Sequence, residues 1–102
     1  MTQNTTIDKI LTDYLGQARP TLVEFGRPGR NEDTDVMTRL GDTYAGRASV
    51  LAIDGSQSQD LVRAYKVITY PTFILFKDGQ EAWRDAGHKS YEELSRMLRD
   101  FV

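Results

Sequence analysis

There is no cysteine anywhere in this chain, and that absence removes a whole class of chemistry. A thiolate is the nucleophile of disulfide exchange, so thiol–disulfide catalysis and structural disulfides are both excluded. A single histidine, His88, makes neither a metal centre nor a catalytic triad, because each needs partners. Gly26-Arg27-Pro28-Gly29 fits neither glycine pattern that cradles phosphates, Gly-x-Gly-x-x-Gly or Gly-Lys-Ser/Thr. The 13 basic residues are scattered among 15 acidic ones, with net charge −2, so there is no basic footprint for nucleic acid. No apolar run approaches the roughly 18 residues of a membrane span. Met1-Thr2-Gln3-Asn4 shows no basic segment leading into an apolar one, so no secretory signal is expected and cytoplasmic residence is the expectation. Zero cysteines suit that compartment. No nucleophile is paired with a poised base, so the expectation is a non-enzyme without cofactor or metal.

What is present reads as one ordinary domain over residues 1–102: 39% hydrophobic, 27% charged and three prolines. Ile7, Ile10, Leu11, Tyr14 and Leu15 mark one face of a helix, with Thr5 or Thr6 as N-cap and Gly16 as its stop. After Pro20, Thr21-Leu22-Val23-Glu24-Phe25 reads as a buried strand carrying one acid. Gly26 to Asn31 reads as loop, then Val36, Met37, Leu40 and Tyr44 resume helical spacing until Gly46. Ala48 to Ile53 is a short apolar strand, and Leu61, Val62, Ala64 and Tyr65 a brief helix capped by Ser56 or Ser58. Thr72-Phe73-Ile74-Leu75-Phe76 is a strand, Asp78-Gly79 a tight reversal, and Glu81 to Ala86 the partner strand. Ser90-Tyr91-Glu92-Glu93 spells a capping box, followed by Leu94, Met97, Leu98 and Phe101 on one helical face. The order α-β-α-β-α-β-β-α predicts an α/β fold: parallel early strands, one antiparallel hairpin and helices on both faces of a mixed sheet.

Tyr65, the Val67-Ile68-Thr69-Tyr70-Pro71-Thr72 loop, the Phe73-to-Gly79 hairpin, Gly87 and the terminal helix together resemble the second half of a thioredoxin. Leu22-Val23-Glu24-Phe25 is similar to the strand entering that family's active site, and Glu24 takes the place of its buried acid. The resemblance implies a thioredoxin-like three-layer sandwich with a central sheet of about four strands, since too few residues precede Ile7 for the family's usual opening strand. It also implies a cis Tyr70–Pro71 bond. The Trp-Cys-Gly-Pro-Cys of the family is missing. Counting back from Tyr44 sets Arg27-Pro28-Gly29-Arg30 on the redox tetrapeptide, whereas counting forward from Phe25 sets Arg30 and Asp33 on the two cysteines. Helix periodicity favours the first.

Arg27 and Arg30 read as an anion or acidic-peptide clamp at a helix N-terminus, or as solvated loop arginines. Glu32, Asp33 and Asp35 satisfy that helix dipole themselves and weaken the case for phosphate. Glu24 reads as a peptide-contacting or pH-sensitive acid, or else as a relic or a partly exposed acid paired to a basic residue. His88 reads as a surface turn residue. The resemblance implies that the residue before the cis proline offers its backbone to an extended peptide. Arg27, Arg30, Thr69, Tyr70, Pro71 and Gly87 would line that groove, with Tyr70 and Trp83 as aromatic anchors. The expected function is then a redox-inactive protein that binds a protein or extended peptide as chaperone or adaptor, a monomer or weak homodimer without nucleic acid or membrane. The alternatives are a structural or oligomerising scaffold with an unused groove, or a chaperone of the hydrogenase-maturation type.

Overall fold

The computed structural model describes residues 5–27 and 31–102. Its elements run α1 (Thr5–Leu15), β1 (Thr21–Gly26), α2 (Asn31–Thr43), β2 (Ser49–Asp54), α3 (Gln59–Ala64), β3 (Thr72–Lys77), β4 (Gln80–Ala86) and α4 (Tyr91–Arg99). This is the order that the spacing of apolar residues predicts. The strands form one mixed sheet in the order β2-β1-β3-β4. β1 and β2 are parallel, joined through α2, while β1–β3 and β3–β4 are antiparallel. The result is a thioredoxin-like α/β fold.

Period-two alternation along the strands divides the core between the two faces. Leu22, Phe73 and Leu75 face α2 and α4, where Met37, Leu40, Tyr44, Leu94 and Leu98 meet them. Val23, Phe25, Ile53, Ile74 and Phe76 face the other way, against Leu11 of α1 and the partly buried Leu61 and Val62 of α3. Each fully buried Leu or Phe of this kind contributes about 1.5–3 kcal/mol of burial energy. β1 is buried along its whole length, because it lies between two strands with helices over both faces.

Local signals set the ends of the elements. Asp78 and Gly79 have φ of 55° and 79°, the left-handed pair that a two-residue hairpin requires. Ser90 accepts from the Glu93 N–H while the Glu93 side chain accepts from the Ser90 N–H, closing the capping box. Three ends differ from expectation. α1 already includes Thr5 and Thr6, so neither precedes it as a cap. Ser58 occupies the N-cap of α3 but its hydroxyl makes no capping bond. Ser56 instead turns back, and both its N–H (2.9 Å) and its hydroxyl (2.7 Å) donate to Asp54 Oδ1. α2 begins at Asn31, five residues before its first apolar position at Val36, because its opening turns are built from polar and acidic residues.

On the face that α2 and α4 share, Tyr44, just past the end of α2, ties the two helices together. Its hydroxyl lies 2.6 Å from Ser95 Oγ and donates to the Ser95 carbonyl at 3.0 Å, both in buried surroundings. A buried polar atom left unpaired is costly, so this pair fixes how the two helices sit against each other.

Candidate functional site

The segments that finish at one end of the strands converge on a small cluster around Tyr70. β1 and β2 finish side by side, Gly26 opposite Asp54, and the Gly55 N–H continues the ladder by donating to the Gly26 carbonyl at 2.9 Å. Tyr70 is half-buried, packs on the core face shared by α1 and α3, and lays its ring across the Gly55 backbone. A Cβ at Gly55 would stand 2.5 Å from Tyr70 Cε1 and from its hydroxyl oxygen, so only a glycine leaves room for the ring. Arg27, exposed just beyond β1, places its guanidinium carbon 5.9 Å from the centre of the same ring. That is the outer limit of a cation–π contact.

The loop before β3 supplies the other side. The Tyr70–Pro71 peptide bond is cis. The Pro71 carbonyl accepts from the Gly87 N–H at 2.9 Å, and the Thr72 hydroxyl donates to the Thr69 carbonyl at 2.7 Å. Gly87 has φ of 95°, in the left-handed region, although a Cβ there would meet nothing within 4 Å. Backbone conformation, not space, is what calls for glycine at that position. Ile68, in the same loop, is 92% exposed, with Thr69 exposed beside it. The base of the loop is held by Arg84 of β4, whose guanidinium donates to the Tyr65 carbonyl at 2.6 Å and to the Lys66 carbonyl at 3.3 Å. Glu81 holds Arg84 in turn through two bonds of 2.8 and 3.0 Å. The hydrogen bond from Arg84 keeps the Glu81 carboxyl below its ordinary range, against the opposing effect of burial.

Of the residues expected to line a groove, Arg27, Thr69, Tyr70, Pro71 and Gly87 fall in this cluster. Arg30 lies outside the described residues. Trp83 does not join Tyr70: it pairs across from Leu75 and packs on the α2–α4 face, whereas Tyr70 packs on the opposite one. Strand alternation separates the two rings by the thickness of the sheet. Glu24 is 4% exposed, which rules out the partly exposed acid expected as one reading, because β1 lies between two strands with helices over both faces. A Cβ on Gly26 would lie 3.2 Å from its Oε2, so the carboxylate sits directly beneath the end of β1. It shares the face of Leu22 and its β3 neighbour Phe73, again opposite Tyr70. Gly55 is not singled out by its sequence, and its only signal is the Asp54-Gly55 dipeptide ending a strand.

Among the described residues, no group of three His, Asp or Glu side chains comes together as a metal would require. None of the described helices is long and apolar enough to cross a membrane. The cluster brings together an aromatic ring, an exposed aliphatic side chain, a cation and loop backbone, and the chain holds no thiol.

Comparison with known proteins gives a consistent picture. The thioredoxin family model matches residues 34–100, from within α2 to the end of α4. The chain is 34% identical over 94 residues to a thioredoxin of Mycobacterium tuberculosis, covering 89% of this chain and 81% of that one. A solved Entamoeba histolytica thioredoxin, a mutant with serine in place of one cysteine, superposes with a TM-score of 0.78 at 26% identity, over 92% of each chain. The germline-specific thioredoxin Deadhead of Drosophila melanogaster gives a TM-score of 0.83 at 23% identity, covering 100% of this chain and 99% of its own.

Proposed function

This chain belongs to the thioredoxin family, and from that premise we propose that it is a redox-inactive member that binds a protein or extended peptide at the former substrate groove, as a chaperone or adaptor. The observation that carries the reading is the Tyr70 cluster. Tyr70, Arg27, exposed Ile68 and the cis Tyr70–Pro71 turn stand together at one end of the sheet's strands, and none of them depends on a thiol. Aromatic and arginine side chains dominate binding hot spots because they supply contact area and charge together. An exposed aliphatic beside them adds apolar area that water hydrates poorly. The loop backbone before Pro71 suits an extended segment, which would add main-chain hydrogen bonds in the manner of strand addition. The reaction of the redox relatives needs a thiolate and has no substitute here.

Extended peptides selected by display against the wild-type protein supply the probe. The double variant Arg27→Ala/Tyr70→Ala, checked for folding by circular dichroism, is expected to bind the selected peptides at least about tenfold more weakly. Equal affinity removes the groove from the argument. Insulin reduction by the wild-type chain is expected to read zero, and measurable turnover would overturn its assignment as redox-inactive.

A further inference from the structure

The two edges of the sheet are finished differently. On the β4 edge, Glu81, Arg84 and Asp85 place charge on the strand, and the register shift between Leu75 and Phe76 introduces a bulge. Both devices discourage further strand pairing. β2 has neither. Its run Ser49-Val50-Leu51-Ala52-Ile53 carries no charge and no proline before Asp54, and its register against β1 is unbroken. Among the described residues, no strand lies on its outer side. The direction of its backbone groups follows from the ladder. Ser49 N–H donates to the Pro20 carbonyl and Gly55 N–H to the Gly26 carbonyl, so odd-numbered residues face β1. The N–H and C=O of Val50 and Ala52 therefore point to the open side, whereas the Asp54 carbonyl is taken by the Gln57 N–H at 3.0 Å in the turn beyond the strand.

We propose that β2 of a second copy of this chain pairs antiparallel with this edge, joining two four-stranded sheets into one across a two-fold axis. Such a contact requires an edge complementary to itself. Because the outward groups lie on even-numbered residues, the axis must pass through a residue and not between two. An axis at Leu51 sets Val50 opposite Ala52 of the second copy, each exchanging both of its backbone bonds, and brings the half-buried Leu51 side chains together on the axis. The same register carries Asp54 to the position of Ala48 in the second copy, next to its exposed Arg47. Both ends of the contact thus match acid to base, whereas parallel pairing in the same register would set Asp54 against Asp54. A net charge of −2 leaves little repulsion between copies. One strand pair buries less than a standard interface, so the dimer is weak.

Sedimentation velocity from about 1 µM to about 1 mM tests the proposal. The wild-type mass is expected to climb towards twice the monomer value, while Ala52→Lys and Ala52→Pro stay near the monomer. The Ala52 N–H lies outside the β1 ladder, so proline there removes only the outward donor, as edge strands tolerate. A wild-type chain that stays monomeric throughout overturns the proposal, as does either variant, folded, dimerising like wild type. Amide exchange on the wild type at low and high concentration needs no variant. Val50 and Ala52 are expected to gain protection with concentration, and gain confined to other segments also overturns the pairing.

Discussion

Gly55→Ala puts the seat of Tyr70 to a quantitative test. The added methyl would lie 2.5 Å from two atoms of the Tyr70 side chain, about an ångström inside ordinary van der Waals contact, so the ring must swing away. Overpacking of this kind costs about 1–3 kcal/mol. Gly55 does not have positive φ, so alanine fits its backbone and restricts the unfolded chain, returning about 0.4–1 kcal/mol. The net loss is about 0–2.6 kcal/mol, a fall in Tm of about 4–8 °C for each kcal/mol in a domain this small. The discriminating measurement is a double-mutant cycle by urea denaturation, using wild type, Gly55→Ala, Tyr70→Ala and the double variant at constant m-value. In the Tyr70→Ala background the clash has gone, so Gly55→Ala should be neutral or stabilising by about 0.4–1 kcal/mol. A coupling of at least about 1 kcal/mol follows. If Gly55→Ala costs the same with and without the Tyr70 ring, the packing argument fails, and with it the claim that this glycine exists to hold the aromatic in place.

Two further outcomes are expected. Tyr44→Phe removes the buried hydroxyl that serves both Ser95 Oγ and the Ser95 carbonyl, and should lower unfolding free energy by about 1–3 kcal/mol. Adding Ser95→Ala should recover part of that loss, and no loss in the single variant by chemical denaturation would show that the pair contributes nothing. The depressed carboxyl of Glu81 gives a pH signature. A group whose folded pKa is lowered stabilises fully above its unfolded value and loses that contribution as pH falls through the folded one. On acidification from about pH 5 to about pH 3, wild type should therefore lose more stability than Glu81→Gln, and parallel curves in a melting series would rule the effect out.

Features encoded within a few residues were legible from the chain alone. The capping box at Ser90 and Glu93 and the Asp78-Gly79 reversal depend only on local backbone groups, and the structure contains both. The α2 and α4 faces followed from three-and-four spacing, because each helix buries a single stripe. What resisted reading depends on register and on partners distant in sequence. Trp83 follows Glu81 and Ala82 at a register shift, and only the pairing of Leu75 with Trp83 fixes the face it takes. Spacing alone could not place it away from Tyr70. Gly55 and Tyr70 are fifteen positions apart in number, and nothing local to either announces that one makes room for the other. Ser58 looked like a cap by residue type, yet Asp54 took up the nearby Ser56 instead, a competition between two short polar side chains that composition does not decide.

The Arg84 clamp has a consequence for how the chain can change. Arg84 grips the carbonyls of Tyr65 and Lys66, and Gly87, just past the same strand, bonds the Pro71 carbonyl. Both ends of segment 65–71 are thus moored to β4, and its first residues are also bonded back to α3, the Lys66 N–H to the Arg63 carbonyl at 3.1 Å and the Val67 N–H to the Val62 carbonyl at 2.9 Å. A change that shifts β4 therefore moves the Tyr65–Lys66 corner and the cis Tyr70–Pro71 turn together, whereas a change confined to exposed Ile68 or Thr69 leaves both anchors in place.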